Sequence, residues 1–165
     1  MISTALWAVV VFDAGLRMDT VLQVFYFAMA IYGWVQWKRG GRDHTGVSVH
    51  WWPLSRHLLA IAPIAVCGLV IGWFMSRTPA EFPYLDSLTT IAAIVATFMV
   101  TRKVIENWIY WFVIDAVYIY LYIERDLDGY AALYLLYLLM VVFGFLSWQF
   151  ELRSGKPVAD SDAAD

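Results

Sequence analysis

Five stretches of this chain, residues 20–37, 58–76, 84–101, 107–123 and 130–150, contain two acidic residues between them, Asp86 and Asp115, and no Lys or Arg. A helix that crosses a bilayer takes about 20 largely apolar residues, with a usual range of about 17–25. The spacing predicts five spans, because no soluble core of this size needs five such runs. The composition agrees: 62% of the 165 residues are hydrophobic and 15% are charged, with a mean hydropathy of +0.65. These values place the chain among integral membrane proteins. Residues 1–12 are apolar but too short to span, and they carry neither the basic start nor the small-residue cleavage site of a signal peptide. The lone Cys67 cannot form an internal disulfide. No basic face exists for nucleic acid.

The fourth stretch holds the unusual chemistry. Within RKVIENWIYWFVIDAVYIYLY, residues 102–122, Trp108, Trp111, Asp115, Tyr118 and Tyr122 follow steps of 3, 4, 3 and 4. On a helix that is one face. A carboxylate at mid-depth costs about 2.5–3.5 kcal/mol on insertion scales, so an intramembrane acid points first to a functional site. The face reads as the lining of a solute cavity, with Asp115 as its anion; the plainer reading of Asp115 is an interhelical hydrogen bond. Asn107, at the start of the helix, serves equally well as a cap or as a ligand. Gln23, Tyr26, Ala30 and Trp34 share a face of the first span, and Gln23, Tyr26 and Trp34 join the candidate substrate-binding set of Asn107, Trp108, Trp111, Asp115 and Tyr118. Asp86 reads as a helix-start cap, and the Gly68/Gly72 pair as a close-packing or oligomer motif. His44, His50 and His57 have no metal-ligand spacing and read as interfacial. No nucleotide-binding loop, metalloprotease motif or catalytic constellation accompanies Asp115, so the expectation is a non-enzyme with no cofactor and no metal.

Charge bias sets the expected orientation. Lys38, Arg39, Arg42, Arg56, Arg102, Lys103, Arg153 and Lys156 fall on one side, eight of the eleven Lys and Arg residues. The positive-inside rule makes that side, and the C-terminus, cytoplasmic. Trp34, Trp37, Trp51, Trp52 and Trp148 cluster at the same boundary as an aromatic belt. The chain also repeats itself: a shift of 111 residues brings Tyr26 onto Tyr137, Gly33 onto Gly144 and Trp37 onto Trp148. Both copies run in the same direction, which makes a parallel repeat. In this register the first-copy partners of Asn107 and Trp111 would precede Met1, so the first repeat is expected to be incomplete.

VLQVFYFAMAIYGWVQW, PYLDSLTT and TRKVIENWIYWFVIDAVYIYLY resemble the PnuC family of vitamin transporters, over nearly the whole chain to about Phe150. The ENWxxW block (Glu106, Asn107, Trp108 and Trp111) is its most specific part. Ala30 and Thr97 depart from the asparagine and glutamine of many members. The resemblance implies an all-α membrane protein with a SWEET-like parallel repeat of three-helix bundles joined by a linker helix, the first bundle incomplete. Residues 1–37 would be the partial first bundle, 38–57 a cytoplasmic loop and 58–76 the linker. Residues 77–150 would be the complete second bundle and 151–165 a polar cytoplasmic tail. It further implies facilitated uptake of nicotinamide riboside for NAD synthesis across the cell inner membrane, and a homotrimer. A thiamine or riboflavin carrier, a proton-coupled carrier using Asp115, and a non-transporting remnant or subunit are the competing readings.

Overall fold

The computed structural model describes residues 17–40 and 46–154, and among these the secondary structure is helical apart from one isolated bridge. The helices are α1 (Arg17–Arg39), α2 (Leu54–Met75), α3 (Pro83–Thr101), α4 (Asn107–Glu124) and α5 (Asp128–Ser154). Each expected span is a helix with ends shifted by only a few residues. The 1–12 stretch, His44 and the tail from residue 155 lie outside the described residues. α2, α3 and α5 are long and apolar enough to cross a membrane by length and composition. α4 is of similar length, but Asn107, Asp115, Glu124 and its indole and phenol groups lower its hydropathy.

The described residues divide into two compact units, one containing 17–40, 46–48 and 101–103, the other 49–100 and 104–154. In the first, Gly33 is buried, and a Cβ there would stand 3.1 Å from the Thr101 methyl. The Arg102 guanidinium lies 5.8 Å from the Tyr32 ring and the Lys103 ammonium 5.6 Å from the Trp37 ring.

The second unit is built by consecutive packing. α2 meets α3 through Gly68 and Gly72, where added Cβ atoms would lie 3.0 Å from the Cα atoms of Leu88 and Tyr84. The small-residue motif therefore brings two helices of one chain together, and backbone atoms leave no room to adjust. Gly68→Val or Gly72→Val is expected to cost about 1–3 kcal/mol, read as a lowered thermal midpoint in detergent. α3 then presents Ala92, Ala93 and Ala96 to Ile114, Trp111, Tyr118 and Tyr110 of α4. Small residues on one side and large rings on the other let these two helices approach closely. α4 packs on α5 through Gly144 and a cluster of phenol rings.

Two of the turns use left-handed residues that are not glycine. Lys103 has φ 53° and Asp126 φ 55°. In each turn the following amide bonds back to the third-last helical carbonyl: Val104 N–H to Met99 O at 3.1 Å and Leu127 N–H to Tyr122 O at 2.9 Å. Both α3 and α4 thus end in a Schellman turn. The usual glycine signal is missing, which is why neither stop is marked in the sequence.

Candidate functional site

α4 positions five of the expected residues. Asp115 is 3% exposed and makes no hydrogen bond or ion pair among the described residues. Trp111 and Tyr118, on either side of it on the same face, are half-buried against the alanine stripe of α3. Tyr118 stacks on Tyr122 at 6.1 Å, and both contact Tyr134 of α5, at 4.9 Å and 5.3 Å. Tyr130 and Tyr137 extend the cluster. The one buried carboxylate of α4 therefore shares a helix face with phenols and an indole, and neither α3 nor α4 contains a Lys or Arg. A largely buried carboxylate without a partner is costly to keep ionised, so a cationic or donor-rich solute beside it would be stabilised.

Asn107 is fully buried, but it does not cap. It is the first residue of α4, and its Nδ2 donates to Val104 O at 2.6 Å while Oδ1 has no partner. A cap would use that oxygen to accept from the next turn's amides. Trp108 Nε1 is likewise buried and unpartnered. Leaving such an atom unmet costs about 1–3 kcal/mol. An acceptor and a donor are thus held ready at the start of the helix.

Trp108 turns towards α5, stacking edge-on against Trp148 at 5.3 Å over the surface that Gly144 leaves open. Trp148 is thereby a packing partner of the ladder, while Trp34, Trp37 and Trp51 are exposed. Beside Trp108, a cavity of about 310 Å³ is lined by Ile109, Phe112, Val141, Val142, Phe145 and Leu146. Its lining is apolar and excludes Asp115.

The α1 members belong to the first unit. Tyr26 is half-buried, edge-on to Phe25 at 5.6 Å. Trp34 is 54% exposed, with the Lys38 ammonium 5.5 Å from its ring. Gln23 belongs to the helix, and its side chain is outside the described residues.

Two further outcomes depart from expectation. The carboxylate of Asp86 does not cap α3; it accepts from Arg125 Nη2 at 2.7 Å, and Glu81 accepts from Arg125 Nε at 3.4 Å. These carboxylates, the Asp86 hydrogen bond foremost, raise the guanidinium pKa and fasten the end of α4 to the start of α3. His57 makes contacts that its spacing did not suggest: its Nε2 lies 3.0 Å from Glu106 Oε1 and its Nδ1 3.1 Å from the Tyr110 hydroxyl. The i, i+4 spacing of Glu106 and Tyr110 was visible, but nothing in the sequence paired them with a histidine 49 residues away.

The profile of a family described as nicotinamide mononucleotide transporter matches residues 1–150. The nicotinamide riboside transporter PnuC of Escherichia coli (strain K12) is 28% identical over 177 residues, covering 90% of this chain and 73% of that protein. The riboflavin/roseoflavin transporter RibM of Streptomyces davaonensis is 26% identical over 147 residues, covering 86% and 69%. A crystal structure of the vitamin B3 transporter PnuC superposes with a TM-score of 0.66 at 22% identity, covering 94% of this chain and 71% of that one. At that identity the structural likeness concerns the fold, and it is a fold of several membrane helices. With a profile that spans nearly its whole length, this multi-pass membrane chain belongs to the nicotinamide mononucleotide transporter family.

Proposed function

We propose that this protein carries nicotinamide riboside across the cell inner membrane, down its gradient, to supply NAD synthesis. The observation that carries this reading is the unpaired, buried Asp115 on an aromatic face with no Lys or Arg on α3 or α4. The riboside has a flat pyridinium cation and a sugar with several hydroxyls. Attraction between such a cation and a ring face reaches about 2 kcal/mol when desolvated. Trp111 and Tyr118 supply faces beside the carboxylate, and Trp108 and Asn107 supply an unpaired donor and acceptor. The same charge pattern disfavours the mononucleotide, whose phosphate adds a charge of about −1.5 to −2 beside an acid on helices that carry no Lys or Arg. The PnuC relative, named for the riboside, supports that choice over the family's description.

A riboflavin substrate is the second reading, favoured by the RibM relative and by phenol rings that suit any flat ring system. It gives Asp115 no cation to meet. Calorimetric titration of the detergent-purified protein decides between them: the riboside binds saturably and nicotinamide mononucleotide does not. Tight mononucleotide binding, or riboflavin binding with none of the riboside, would overturn the proposal.

The proposed architecture is the SWEET-like parallel repeat, with residues 58–76 as linker and 77–150 as a complete three-helix bundle, the C-terminus cytoplasmic and three copies assembled as a homotrimer. The 111-residue register, the charge bias and the family resemblance support it.

A further inference from the structure

The connection ahead of α2 is laced to the turn that opens α4. Ile105 N–H donates to His50 O at 3.1 Å, and His50 pairs with Val104 in the isolated parallel bridge. Glu106, 8% exposed, accepts at Oε1 from the Trp52 backbone N–H at 2.9 Å and from His57 at 3.0 Å. The His57 ring stacks on Tyr110 at 6.0 Å and leans on Trp52 at 5.8 Å. Its Nδ1 meets the Tyr110 hydroxyl at 3.1 Å. When Nε2 carries the proton given to Glu106, the hydroxyl donates to Nδ1; when both nitrogens are protonated, the hydroxyl accepts. The bridge between α2 and α4 therefore survives either charge state of the ring.

Three consecutive residues of this turn each hold a buried atom with no partner: Glu106 Oε2, Asn107 Oδ1 and Trp108 Nε1. A turn free to rotate would bring these atoms to water. Something must hold the backbone still, and the contacts from the 50–57 segment are what grip it.

We propose that His57, acting through Glu106, is a positioning residue that fixes the first turn of α4 so that the Asn107 amide oxygen and the Trp108 indole N–H stay unspent for solute. This rests on the reading of α4 as the helix that binds nicotinamide riboside. His57 itself touches neither Asn107 nor the solute in this scheme; its action is transmitted through one carboxylate.

The test uses the full chain, carrying His57→Ala, Glu106→Ala, the double substitution or His57→Gln, in proteoliposomes. Both single variants are expected to raise the KM for riboside uptake by roughly tenfold with little change in the maximal rate, because the lost interaction serves binding. The double variant should be no worse than either single one, the non-additivity of two groups acting as a unit. His57→Gln, whose amide can still donate to Glu106, should recover part of the loss. A second readout needs no substrate: hydrogen exchange of amides 104–110 should quicken in His57→Ala. Unchanged exchange, or an unchanged KM with less folded protein, would overturn the positioning role. If the unaltered protein binds no riboside, the transport reading fails, and the exchange measurement alone decides whether His57 holds the turn.

Discussion

Asp115→Asn lowers affinity for nicotinamide riboside by roughly 10–150-fold, the equivalent of the 1.5–3 kcal/mol that a hydrogen bond to a charged group contributes. The substitution keeps the shape of the side chain and removes only its charge. Asp115 has no partner among the described residues and is 3% exposed, so no native ion pair is broken. Burying a neutral amide costs less than burying an unpaired carboxylate. The thermal midpoint in detergent is therefore expected to hold or rise while binding falls. That opposition separates a solute counter-charge from a structural acid, whose loss would lower both. Calorimetry and a melting curve on the same preparation check it, and unaltered affinity would remove Asp115 from the site.

Gly144→Ala acts on the ladder from the facing helix. A Cβ at position 144 would overlap the Trp108 indole, and that ring is already confined by Trp148 at 5.3 Å. Overpacking of this kind costs about 1–3 kcal/mol, and relief requires Trp108 to swing away from α5. Riboside affinity is expected to drop by about tenfold or more, with a shift in indole emission reporting the displaced ring. Trp108→Phe in the same background should restore stability, since the smaller ring makes room, without restoring affinity. If Gly144→Ala binds like the unaltered protein, Trp108 does not contact solute.

The contrast between these two positions explains what could be read in advance. Asp115 stands out in the sequence because charge at mid-span is rare, and its face follows from helical spacing alone. Gly144 gave a weaker signal, its match to Gly33 in the repeat. What it accommodates depends on how α4 and α5 are set against each other. His57 gave no useful signal, because its partners, Glu106 and Tyr110, lie 49 and 53 residues away. Asn107 was legible as a helix-start residue, but its direction was not. An amide at a helix start can accept from the next turn or donate to the previous one, and a buried Val104 carbonyl, fixed by the Schellman turn at Lys103, decided for donation.

Hydropathy and spacing are local properties, so the chain itself determined where its helices run, which face of α4 carries indoles, phenols and an acid, and that the surroundings must be lipid. Partnership is not local. That Gly68 and Gly72 receive α3, that Asp86 holds Arg125 across 39 residues, and that the first turn of α4 keeps polar atoms unspent were decided only when the helices packed. Close packing matches surfaces with no sequence relation to each other, and each match fixes the directions in which neighbouring polar groups can point.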